Sequence, residues 1–175
     1  MPRSFNWATL ALWLAAPCVN AAVALPQTTQ MLTHQATSVV RGIVEGQRVG
    51  YDEAVHHATV ETTLRIEEAL KGAGPSKLVI RQLKGIPGDA RFTRGEEVVV
   101  FVRAGAGAAP GVSFLLGMAQ GKFAVKRTLQ GDGVVERNFT DLHLLKPGAV
   151  EKITTRADLR AKVKAAVAAD ERSGR

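Results

Sequence analysis

Apolar and polar positions change rhythm several times along this chain, and each change marks an element. In residues 28–37, Met31, Leu32 and Gln35-Ala36 fall at helical spacing behind Thr28 or Thr29, either of which can cap a first turn. The rhythm then switches. Val39-Val40-Arg41-Gly42-Ile43-Val44 is rich in β-branched residues and predicts a strand, with Gly42 marking a bulge or bend. Residues 46–56 are polar and read as a loop. From His57 to Leu70, Val60, Thr62, Leu64 and Ile66 alternate with Glu61, Thr63, Arg65 and Glu67, the period of a strand with one face in water. Lys71-Gly72-Ala73-Gly74-Pro75 breaks that run.

Three further strands follow. They are Leu78–Leu83, the very apolar and central Val98–Val102, and a fifth strand in two pieces, Phe114–Met118 and Lys122–Arg127, interrupted by Gly117 and Gly121. Residues 104–113 between them are small and flexible by composition. Gln130-Gly131-Asp132-Gly133 reads as a turn into a short strand at Val134–Asn138. Thr155 caps a helix over about residues 155–172, with Asp158 in a box-like position and Leu159, Val163, Ala166 and Val167 on its apolar face. Hairpin-like spacing without strand–helix alternation predicts a mainly β domain. The expected form is a small antiparallel barrel or sandwich of five to six strands, with a short N-terminal helix and a C-terminal helix.

The first residues follow a different logic. Arg3, an apolar run of about ten residues from Trp7 to Ala16, and Ala22-Val23-Ala24 match the three regions of a secretory signal, with cleavage before Leu25. The run is too short to span a bilayer core roughly 30 Å thick. Residues 25–175 then form one exported domain, periplasmic or secreted. The only cysteine, Cys18, leaves with the leader, so the mature chain has no disulfide or thiolate chemistry and holds together by packing alone. A formal net charge of +7, concentrated toward the C-terminus, suits contact with an anionic envelope surface or an acidic protein.

Catalytic patterns are sparse. His56-His57 follows Asp52 and Glu53, and a secreted hydrolase using either histidine with a nearby carboxylate is one alternative. Neighbouring residues entering a strand point to opposite faces, so the two rings do not readily share a metal ion. None of Ser38, Ser76, Ser113 or Ser173 lies in a Gly-x-Ser-x-Gly elbow. Asp89, Asp132 and Asp141 fall in loops, where turn formation accounts for an aspartate. No glycine-rich segment forms a nucleotide fingerprint, and no cofactor is expected. The aromatics are placed for a core rather than for stacking on bases, so no nucleic-acid partner is expected.

Four segments in order resemble a known family. They are Ala36-Thr37-Ser38-Val39-Val40-Arg41-Gly42-Ile43-Val44, then Thr62 to Ile66 leading to Leu70-Lys71-Gly72, then Phe92-x-x-Gly95-Glu96-Glu97-Val98-Val99-Val100-Phe101, then Gly117-x-x-Gln120-Gly121-x-Phe123-x-Val125. Together they are similar to small exported bacterial proteins with a netrin-like OB barrel, the fold of the tissue inhibitors of metalloproteinases. The resemblance implies a barrel and a protein-binding role, with a metalloprotease as one partner class. The inhibitors act through an N-terminal cysteine, which the mature chain lacks, so that residue role does not transfer. The expected function is a non-catalytic binding module for a protein outside the cytoplasm. Residues 46–56 and 104–113 are its expected contact loops, and Arg48, Tyr51 and Gln120 its candidate binding residues, with Gln120 also readable as a turn-stabilising amide. The basic C-terminal helix offers an alternative, attachment to the envelope surface.

Overall fold

A computed structural model describes residues 21–105, 111–128 and 133–174. The leader up to residue 20 with Cys18, the centre of the 104–113 loop, and Gln130 to Asp132 lie outside the described residues. The fold is mainly β with two helices, α1 (Thr29–Gln35) and α2 (Arg156–Arg172). The strands are β1 (Ala22–Ala24), β2 (Ser38–Asp52), β3 (His57–Lys71), β4 (Lys77–Leu83), β5 (Glu97–Ala104), β6 (Val112–Leu115), β7 (Lys122–Lys126), β8 (Val134–Glu136) and β9 (Leu142–Leu144). Among the described residues, no helix is long and apolar enough to cross a membrane.

The main sheet has seven strands in the order β2-β3-β4-β6-β5-β7-β8, and β2 makes a second ladder with β5. This corrects the expected five or six. Nor is the pairing wholly antiparallel, because β4 runs parallel to β6 and β1 parallel to β9 in a separate two-stranded sheet. Ala22-Val23-Ala24, read from sequence as the end of the leader, supplies β1.

The strand in two pieces is confirmed in an instructive form. β6 pairs with Val102–Ala104, and β7 pairs with Glu97–Val100. β2 occupies the other edge of β5, so β6 and β7 follow one another along a single edge. A 3-10 turn, Met118–Gly121, separates them, and Gly117 enters it at φ 62°. A side chain at Gly121 would place its Cβ 2.1 Å from the Leu116 carbonyl oxygen, so only glycine permits this kink.

Strand alternation builds two cores on the two faces of the sheet. Val98, Val100 and Val102 pack inward with Val40, Leu64 and Ile80. Val99 and Phe101 point the other way, to Leu32 of α1 and Leu159 and Val163 of α2. That is why β5 is a continuous apolar run rather than an alternating one. Thr155 caps α2 by accepting from the Asp158 N–H at 3.1 Å, and Thr28 caps α1 in the same way at 3.2 Å.

The largest departure from expectation concerns residues 46–56. They are not a loop. β2 continues to Asp52, and the turn shrinks to residues 53–56. Gly46 to Asp52 pair in unbroken register with Thr63 to His57. The polar composition of this stretch reflects solvent exposure, and its strand conformation comes from the amphipathic partner β3.

Candidate interaction site

The β2–β3 hairpin extends past β5, whose ladder with β2 covers only Ser38–Ile43. From Gln47 to Tyr51 the strand is exposed, and among the described residues no strand pairs with its outer edge. Residues 47, 49 and 51 share one face by strand period. On that face Val49 lies opposite Val60, and Tyr51 opposite Ala58. Val49 is 60% exposed and Tyr51 57%, and Val55 in the turn is also exposed.

Arg48 points to the opposite face. There Arg48, Glu61 and Arg81 stand directly across three neighbouring strands. Arg48 Nη2 donates to Glu61 Oε2 at 2.7 Å, and Arg81 donates to Glu61 Oε1 through Nε at 3.0 Å and Nη2 at 2.7 Å. These bonds, that of Arg48 first, hold the Glu61 carboxyl below its ordinary range. Arg48 is thus a bracing residue, and the structure separates it from Tyr51.

Gln120 is elsewhere again. It is only 2% exposed. Its Oε1 accepts from the Gln27 N–H at 2.7 Å, and its Nε2 donates to the Leu25 carbonyl at 3.1 Å. Its amide ties the segment before α1 to the 3-10 turn, so it is a clamp rather than a contact surface. The three candidate residues do not converge.

What the hairpin does meet is a cavity of 480 Å³ on its apolar face. Gln47, Val60, Leu83, Ile86, Asp89 and Phe92 are among its walls. Asp89 is the unexpected member. Its sequence setting is that of a turn aspartate, yet the carboxyl is half-buried and has no hydrogen-bond donor among the described residues. Burial alone pushes its pKa upward. It also borders a second cavity, which Lys122 and Arg137 line.

The histidine pair sits at the end of the same hairpin. His56 occupies the turn at φ 49°. His57 places Nε2 3.0 Å from the Lys84 carbonyl oxygen, so that nitrogen donates to backbone. Among the described residues, neither ring forms an ion pair with a carboxylate, and no group of three His, Cys, Asp or Glu side chains is placed to hold a metal ion.

No family model matches the chain. A search of curated proteins finds no significant match either. This face combines an open strand edge, exposed aromatic and aliphatic side chains, and a half-buried carboxylate without a hydrogen-bond donor among the described residues.

No local sequence signal marks Asp89 as a cavity residue. The burial of Asp89 arises when residues 84–92 fold back over β3 and β4, a long-range event with no local pattern.

Proposed function

We propose that this chain is an exported, non-catalytic protein-binding module built on an OB-like barrel. The observation that carries the binding role is the open edge of residues 46–52 with Val49 and Tyr51 exposed beside the Asp89 cavity. An extended segment of a partner fits such an edge, since strand addition supplies main-chain hydrogen bonds and alternate side chains enter neighbouring pockets. Asp89 favours a partner segment that brings a cationic or hydrogen-bond-donating group into the cavity.

The OB-like reading is supported by the order of pairing. β2 bonds to β3, β3 to β4, β4 to β6, β6 to β5, and β5 again to β2. One parallel pair, β4–β6, lies in that circuit, and β7 and β8 extend beyond it. Export rests on the leader.

The test is crosslinking of the mature protein in periplasmic extract, comparing wild type with Val49→Asp/Tyr51→Asp. Both positions are exposed, so the far-UV circular dichroism should stay unchanged. The expected result is a defined adduct that the double variant loses. Equal crosslinking by both proteins would remove the hairpin from the binding surface.

A further inference from the structure

A second surface, at the base of the β2–β3 hairpin and away from its exposed tip, carries a charge imbalance. Helix α2 and the outward face of β2 and β3 enclose a groove of 630 Å³. Its floor is closed by buried Val99 and Leu159. Its walls are cationic. Arg156, Arg160 and Lys164 stand at i, i+4 and i+8 on α2 and so share one stripe of the helix. Arg41 faces them from β2.

Two carboxylates answer these charges. Glu97 accepts from Arg41 Nη1 at 2.8 Å and from Arg127 Nε at 3.1 Å, with Arg156 Nη1 3.9 Å away. Glu68 accepts from Arg41 Nε at 3.3 Å and pairs with Arg160 Nη2 at 2.8 Å. Asp158 does not contribute, because it acts on Lys162, which pairs with Glu151. Lys164 has no acidic partner among the described residues. Five cations therefore share two anions.

Like charges four residues apart destabilise a helix. Glu68 and Glu97 offset only part of this repulsion, so an anion entering the groove meets uncompensated positive charge. Guanidinium groups grip phosphate through paired, charge-assisted hydrogen bonds, and each of these arginines has donors beyond those its carboxylate uses. From residue 156 to 164 the stripe runs about 12 Å at the helical rise. That length exceeds a single phosphate and suits two or more.

We propose that this groove binds clustered phosphate groups, carried either by a soluble polyphosphorylated ligand or by neighbouring anionic lipid headgroups. Arg160 and Lys164 are the outer contacts, and Arg41 and Arg156 the inner ones.

The test uses the purified protein and two probes. Inorganic tripolyphosphate is titrated calorimetrically at constant ionic strength, and phosphatidylglycerol vesicles are compared with phosphatidylcholine vesicles by sedimentation. Arg160→Gln and Lys164→Gln are exposed changes expected to leave the thermal midpoint nearly unmoved. Each should weaken binding by about threefold to fivefold. Lys84→Gln removes the same single charge just after β4, away from the groove, and should leave binding unchanged. Saturable tripolyphosphate binding with this pattern assigns a soluble ligand. Selective sedimentation with phosphatidylglycerol in the same pattern assigns a lipid surface. Binding to neither probe, or equal loss in the groove and control variants, would overturn the proposal. Because Val49→Asp/Tyr51→Asp leaves this groove intact, its failure and that of the hairpin site are separable.

Discussion

Residues 38–44 and 46–52 belong to one strand, yet they live under different constraints. The first half of β2 is clamped between β3 and β5, and Val39, Val40 and Val44 are fully buried. Even Val44, beyond the β5 ladder, donates to the Glu96 carbonyl at 2.9 Å and accepts from the Gly95 N–H at 2.8 Å. The second half has one partner and bares Val49 and Tyr51. Apolar side chains in the first half hold the fold, whereas those in the second half stabilise little while remaining open to water. An exposed apolar edge is an aggregation hazard that folded proteins usually blunt. Its presence here, braced from behind by the Arg48–Glu61–Arg81 ladder, is the contrast on which the proposed binding role rests.

Substitutions that treat the two halves alike give the strongest test of this contrast. Val40→Ala should cost about 2–4 kcal/mol of unfolding free energy by leaving a cavity in the inner core. Val49→Ala should stay within about 0.5 kcal/mol. Urea denaturation of both variants measures the difference, and comparable losses would dissolve it.

The next effect concerns Glu97, which faces the clamped half and holds Arg41. Burial pushes its carboxyl pKa up, but hydrogen bonds from Arg41 and Arg127 outweigh burial and hold it below the ordinary value of 4.5. A depressed folded-state pKa gives stability that is complete above 4.5 and is lost as pH falls through the lower folded value. Glu97→Gln should therefore cost about 2 kcal/mol at pH 7, with the gap to wild type closing in acid. A gap independent of pH would mean that the charge is not what matters.

A smaller effect is expected outside β2. A chain that begins at Leu25 loses β1 and two hydrogen bonds, Ala22 N–H to the Asp141 carbonyl and Leu145 N–H to the Ala24 carbonyl, both 2.9 Å. Compared with a chain that begins at Ala22, it should be less stable by about 1–2 kcal/mol. Thermal unfolding of the two forms reads this directly.

Smallest of all is Asp89→Asn, beside the open half. The folded-state pKa of Asp89 is raised, so its charged form weakens the fold at neutral pH, and protonation relieves that as the pH drops. The variant should be slightly more stable than wild type at pH 7, by under about 0.5 kcal/mol. The advantage should vanish in acid. A destabilised variant would mean that the carboxylate already has a partner.

Much of the fold is legible because its signals are local. The alternation of β3, the unbroken apolar run of β5, the Thr155 cap and the stripe of Leu159, Val163 and Ala166 each lie within one segment. Gly42 was also readable: β2 shifts register against β3 beside it, and a Cβ there would lie 2.5 Å from the Arg65 carbonyl oxygen. Other features depend on distant chain. β1 and β9 are three residues each and exist only as a pair. The β4–β6 ladder has two registered pairs and joins segments some thirty residues apart. The open half of β2 lacks hydrophobic alternation and takes its form from β3. At the site, Tyr51 was legible as an exposed aromatic in a polar stretch, although that stretch is strand. Gln120 had two readings, contact residue and turn-stabilising amide, because a glutamine near glycines looks the same in an exposed turn and in a buried clamp; its burial fits the second.

The irregularity between Val44 and Gly46, where Glu45 falls out of register with β3, lies at the junction of the two halves. A ladder interrupted at one residue transmits opening poorly. The amides beyond it can exchange with deuterium through local fraying, while those before it wait for the whole domain to unfold. The hairpin tip can therefore open locally while the buried core behind it stays closed.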